Sequence, residues 1–249
     1  MPQPTPLLAD FALRLAGGLA ILLLVTRRRA VPPAFFRTHC QIVLALLVLA
    51  ALDLGRLGAS RPVEAGVVAA AVVAYLASAC WGLGLPRLGV PATSMVAAVV
   101  SALLIVASRR PTAEGWAIHA AGRLASAFLL GATLSAMLLG HHYLTAPSMT
   151  IDPLRRYVLC MAIGLAVRVA IEVVGLGARG GTTTVEPMFL AMRWGMGFAG
   201  PALAMFLAWR TVVIRSTQSA TGILYIAFAF VLFGEISAMV LARGGGVVS

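Results

Sequence analysis

The chain reads as an all-α, polytopic integral-membrane bundle of about eight transmembrane helices, with no soluble domain and a single domain over 1–249. Three observations predict this. Of 249 residues 61% are hydrophobic and only 11% charged, and mean hydropathy is +0.98. A soluble domain of that composition has too little polar surface to cover itself. Apolar runs of about 20 residues, enough to cross a bilayer core, recur from end to end, and the polar stretches between them are short.

Pro, Gly and Arg punctuate the runs and place candidate helices at 6–26, 37–55, 64–84, 91–108, 116–140, 155–177, 187–210 and 218–242. The first has no basic segment ahead of it and is followed by "TRRR" rather than a small-residue cleavage site. It therefore reads as a membrane helix, not a signal peptide. The second opens in "FFRTHC", which places His39 near its start. The third follows a short loop, and the fourth, "PATSMVAAVVSALLIVAS", is the shortest. The fifth carries a stripe at 3–4 spacing, namely His119, Arg123, Ser126, Leu130, Thr133, Met137 and His141, which predicts the face turned to the bundle. The sixth holds Arg168 and Glu172 at i, i+4, on one face. The seventh has a small-residue face of Gly197, Gly200 and Ala204, and Pro201 predicts a kink near mid-membrane. The eighth carries the stripe Gln218, Thr221, Tyr225, Phe228, Leu232, Glu235. Loops are short, the longest being 141–154, so neighbours should pack antiparallel. No internal repeat is visible between the first and last four helices.

All nineteen basic residues are arginine, and the formal net charge is +11. Without lysine the chain can carry no retinal Schiff base, no P-loop and no lysine nucleophile. Arginines grouped at helix ends suit anionic lipid headgroups, so the expected partner is the bilayer and not nucleic acid. Cys40, Cys80 and Cys160 stand singly in apolar segments. With no CxxC or CxxCH, they supply no metal or iron–sulfur framework and read as small buried hydrophobes; no metal site is expected.

Six charges fall well inside the helices: Asp53, Arg123, Arg168, Glu172, Arg193 and Glu235. Each costs about 2.5–3.5 kcal/mol on insertion scales, so each needs a partner or a task. At about 1.5 Å per residue, and with alternating helix direction, all six fall in one half of a core about 30 Å thick. Three acids and three bases at one depth predict an ion-pair network, with His119 at its rim. Such a network can serve transport, or simply hold the bundle together.

The stretch "LLGHHYLTAPSM" at 138–149 belongs to the opposite half. The fifth-helix stripe predicts that His141 faces inward while His142 points about 100° away. His39, His141 or His142, Gln218, Thr221 and Tyr225 could then converge near one membrane face. Two histidines from different helices could ligate haem b, with Gly140 letting the macrocycle approach; a histidine, a hydroxyl and an apolar slot could hold a quinone. An interfacial belt of amphipathic rings is the alternative.

No motif resembles a nameable family, and the helix count is similar to the membrane subunits of respiratory oxidoreductases in size and hydropathy alone. Three readings follow. One is a membrane subunit of an electron-transfer complex, handling quinone or haem b and working with other membrane or membrane-associated subunits. The second is a proton-coupled transporter using the charged layer. The third is a non-catalytic scaffold or assembly subunit. Arginine counts of nine against six in alternate loops place both termini on the non-cytoplasmic side of a bacterial inner membrane. A reporter fused after Ser249 is expected to be active only outside the cytoplasm; activity confined to the cytoplasm would reverse the orientation.

Overall fold

A computed structural model describes residues 6–58, 60–108, 116–145, 149–178 and 187–243. The helices are α1 (Leu7–Val25), α2 (Pro33–Arg56), α3 (Arg61–Gly82), α4 (Pro86–Val106), α5 (Trp116–Thr145), α6 (Asp152–Ala178), α7 (Pro187–Trp194), α8 (Gly200–Val213) and α9 (Thr217–Arg243). A π-turn, Gly195–Ala199, joins α7 to α8, so these two form one span and the described residues make eight. The described residues contain no strand. Arg109, Arg110 and Arg179, which enter the arginine count, lie outside them.

Several helices begin earlier than the apolar runs suggest. Pro33, Pro62 and Pro86 occupy first turns, where a missing N–H costs nothing and the fixed φ suits the helix. Proline therefore opens these helices rather than punctuating the loops before them. The connections after α2 and α3 close through Gly58 and Gly84 at positive φ, a conformation that side-chain-bearing residues resist. The seventh span departs from expectation as well. Its irregularity falls one turn before Pro201, because the proline ring crowds the carbonyl four residues back and leaves it without a donor. The π-turn widens the backbone over that carbonyl.

The packing order is regular. α1 packs on α2, α2 on α3, α3 on α4, and α4 returns to α1. α5 packs on α6, α6 on α8, α8 on α9, and α9 returns to α5. The extensive α1–α5 contact joins the two groups, flanked by smaller contacts of α4 with α5 and of α1 with α9. Exchanging the first four spans for the last four maps this pattern onto itself. The repeat absent from the residues is therefore present in the packing.

Glycine makes the central seam. A Cβ on Gly18 would collide with the Ala127 carbonyl, and one on Gly131 with the backbone of Gly18. Small residues let membrane helices approach closely where lipid gives no hydrophobic drive between them. Gly131→Ala is expected to destabilise the protein in detergent by about 1–3 kcal/mol, as overpacking does. Gly222→Ala, where a Cβ meets nothing within 4 Å, should be neutral or mildly stabilising. Equal melting temperatures for the two variants would remove the seam from the account.

Candidate functional site

Four charged side chains close a ring in one half of the bundle. Arg168 Nε donates to Glu235 at 3.2 Å, and Arg193 Nη1 donates to the same carboxylate at 3.0 Å. Arg193 Nη2 donates to Glu172 at 3.0 Å, and Arg168 Nη1 lies 3.7 Å from Glu172. Two cations and two anions thus alternate around a neutral circuit that ties α6, α7 and α9, and all four residues are buried. Arg193 also donates to the Gly234 carbonyl at 3.2 Å and lies over the Phe198 ring, 4.1 Å from its centroid. Phe198 belongs to the π-turn. A Cβ on Gly234 would collide with Gly197, so the turn lies backbone to backbone against α9 where the arginine bonds.

A second group adjoins the ring. Arg14 Nη2 donates to Asp10 at 2.8 Å, and Arg123 Nη1 lies 3.4 Å from the other Asp10 oxygen. Arg14 is wholly buried, on the helix that contacts both α5 and α9. The two groups form one polar layer across both halves of the bundle. His119 is half-buried one turn before Arg123 on α5. Asp53 is elsewhere: its carboxylate accepts the Ala9 N–H at 2.9 Å, capping α1 from the neighbouring α2. A helix start has orphan N–H groups that lipid cannot satisfy, and this acid serves one of them rather than joining the ring.

Asp10 and Arg14 escaped the sequence reading because they fall in the first turns of α1, where charge is ordinarily solvated. Their i, i+4 spacing, shared with Arg168–Glu172, was the available signal.

At the opposite end the histidines differ from expectation. His141 is exposed, whereas His142 turns inward and sets its ring edge-on to Phe35 at 5.7 Å. α5 is buried on nearly every side, so no single stripe defines its inner face. Its last turns follow the contact with α9, where Gly140 meets Thr221 and Leu224. The α9 stripe is displaced in the same way. Ala220, Leu224, Ala227 and Val231 face the core, while Gln218 and Tyr225 are exposed. Thr221 is buried but gives its hydroxyl to the Thr217 carbonyl at 2.7 Å.

His39 is buried against Phe35, with ring centroids 3.9 Å apart. Its Nδ1 lies 2.8 Å from the Phe35 carbonyl and so carries the proton, while Nε2 has no hydrogen-bond partner among the described residues. Phe35 thus touches both imidazoles, and their separation cannot exceed the sum of those two centroid distances. Bis-histidine haem needs a macrocycle between the rings. The fully buried Phe35 packs against both rings, and Gly140, the expected clearance, is filled by α9. These residues do not fit haem b.

A cavity of about 100 Å³ lies beside this cluster, between the end of α1 and the start of α6. Leu22, Val25 and Cys160 line its apolar side, and Thr26, Tyr157, Arg27 and Arg156 its polar side. Thr26 gives its one proton to the Leu22 carbonyl at 2.6 Å, so the Tyr157 hydroxyl donates to Thr26 and braces α6 against α1.

No known family, curated protein or solved structure matches this chain. Eight apolar spans with a buried ionic layer describe a multi-pass membrane protein. Arg168→Ala is expected to cost about 3–5 kcal/mol, because removing one partner strands a buried carboxylate. Asp53→Ala, which removes one cap, should cost about 0.5–2 kcal/mol. Thermal unfolding of both variants in one detergent checks the order; equal losses would deny the ring its role.

Proposed function

We propose that the protein is a proton-coupled membrane carrier in which the two four-helix groups move against each other and the Arg168–Glu172–Arg193–Glu235 ring is the coupling element. One observation carries this reading: the seventh span carries a π-turn at the ring itself. π-turns inside helices frequently mark functional positions, and interrupted spans beside buried charge are a recurring device of secondary carriers. The packing order repeated over four spans supports the same architecture.

Charge balance suggests the coupling chemistry. Glu235 is shared by two arginines. Protonating it removes two of the four ring contacts and leaves one positive charge unbalanced in a medium that penalises it. A small organic anion arriving with the proton restores neutrality by taking over the released guanidinium groups, which present the paired donors that match a carboxylate. Proton and anion then cross together, and neither is favoured alone. The glycine-rich π-turn supplies the bend that a change of access needs.

The scaffold alternative differs in what it predicts, since a structural ring stays closed. Electron transfer has less support once haem b finds no room and His141, Gln218 and Tyr225 face outward.

Two measurements on the full chain separate these readings. In proteoliposomes holding a pH-sensitive dye, an inward gradient of glutamate, citrate or gluconate is expected to acidify the interior, and Glu235→Gln should abolish the signal. Spin labels at Leu83 and Ile214, exposed turn residues of the two groups (75% and 74%), should report two distance populations whose balance shifts with pH. No proton movement with any of the three anions, together with one pH-independent distance, would leave the scaffold reading in its place.

A further inference from the structure

The cavity between α1 and α6 lies at the end of the bundle away from the ionic layer, and the carrier reading makes no use of it. Its rim is basic. Arg27 and Arg156 line it, both are exposed, and neither enters an ion pair among the described residues. Arg28 and Arg29 follow Arg27 directly, and Arg155 precedes Arg156. Among the described residues Asp152 is the one acid in the lining; it sits in the first turn of α6, where the helix dipole favours its charge. The balance at the mouth is therefore positive.

Leu22, Val25, Ala30, Pro153 and Cys160 make most of the remaining wall apolar, and an apolar track leaves the cavity. Arg156, Cys160, Ile163 and Val167 follow at helical spacing on α6, so they share one face. Cys160 is half-buried, while Ile163 and Val167 are exposed along the span. A cavity of about 100 Å³ has room for several waters, each needing about 10–15 Å³ of such space. That is room for a phosphate group and not for a whole amphiphile. The rest of such a molecule would lie outside, along the track.

We infer that this cavity is a binding site for the phosphate headgroup of an anionic lipid, held between Arg27 and Arg156 with an acyl chain along Cys160, Ile163 and Val167. The guanidinium forks match phosphate oxygens in charge and geometry. The Tyr157–Thr26 hydroxyl pair fixes the spacing of α1 and α6 and so holds the two arginines on opposite sides of the mouth. A lipid seated there would cross-link the first and sixth spans, one from each four-helix group.

The test uses the full-length protein in a neutral detergent, with short-chain phosphatidic acid as the probe and thermal shift and native mass spectrometry as readouts. Phosphatidic acid should raise the melting temperature and persist as an adduct, whereas equal phosphatidylcholine should do neither. The Arg27→Gln/Arg156→Gln double variant should melt like the wild type without lipid and bind about 30-fold more weakly, at about 1 kcal/mol per arginine. Arg28→Gln/Arg29→Gln should keep most of the affinity. The site fails if phosphatidylcholine stabilises equally, or if the first double variant binds unchanged. Stabilisation by inorganic phosphate alone would make it a free-phosphate site and overturn the lipid assignment. So would a short-chain quinone that displaces the lipid, since a neutral ring has no use for two arginines.

Discussion

Inside a bilayer no water is available to satisfy a charge, and that constraint organises this molecule. Arg14, Arg168 and Arg193 are wholly buried, in a medium where an unpaired ion is among the most expensive things a helix can carry. Their carboxylate partners come from α1, α6 and α9. Rotating α6 or α9 would therefore strand a charge. Apolar side chains in lipid constrain rotation weakly, because a leucine facing lipid and a leucine facing protein differ little. Ionic partners differ a great deal, and so the layer specifies which faces meet.

Close backbone approach complements this. The Gly18–Gly131 crossing brings the two four-helix groups together at α1 and α5, and the Gly197–Gly234 contact brings the π-turn against α9. At the second contact glycine lies beside a polar group that needs short distances, since Arg193 bonds the Gly234 carbonyl there. Dispersion and hydrogen bonding do here what hydrophobic burial does in water. The π-turn is the exception to regular geometry. It puts Phe198 under the Arg193 guanidinium and leaves a local weakness in an otherwise continuous span.

How much of this is legible in the sequence follows from the kind of signal each feature leaves. Spans are easy, since twenty apolar residues have few alternatives in lipid. The charges of α6, α7 and α9 are easy too, because deep charge is conspicuous. Helix faces are not. α5 touches α1, α4, α6 and α9, so its polar stripe marks no unique inward side, and His141 and His142 exchange the places expected of them. On α9 alanine and leucine share the inward line with Thr221 and Glu235, while Gln218 and Tyr225 of the stripe that draws the eye face out. Hydrophobic periodicity loses its meaning where both environments are apolar. Asp53 shows a third limit: its depth was readable, but its role as a cap depends on which helix start lies beside it. The cavity leaves no pattern at all, since its walls come from segments over a hundred residues apart.

The sharing of Asp53 between helices bears on how the chain is made. Spans enter the membrane in order from the ribosome, and α1 arrives with an N-terminal Ala9 N–H whose acceptor belongs to α2. The first span is thus incomplete until the second has emerged, which favours delivery of the two as a hairpin. Arg168 and Glu172 travel within one helix and partly offset each other on the way in. Arg193 and Glu235 enter in different spans, α7–α8 and α9, so Arg193 must wait near the insertion machinery or beside Glu172 until the last span delivers its acid. The final helix then acts as a latch, and a chain truncated before it would present to cellular quality control a membrane arginine whose shared acid never arrives.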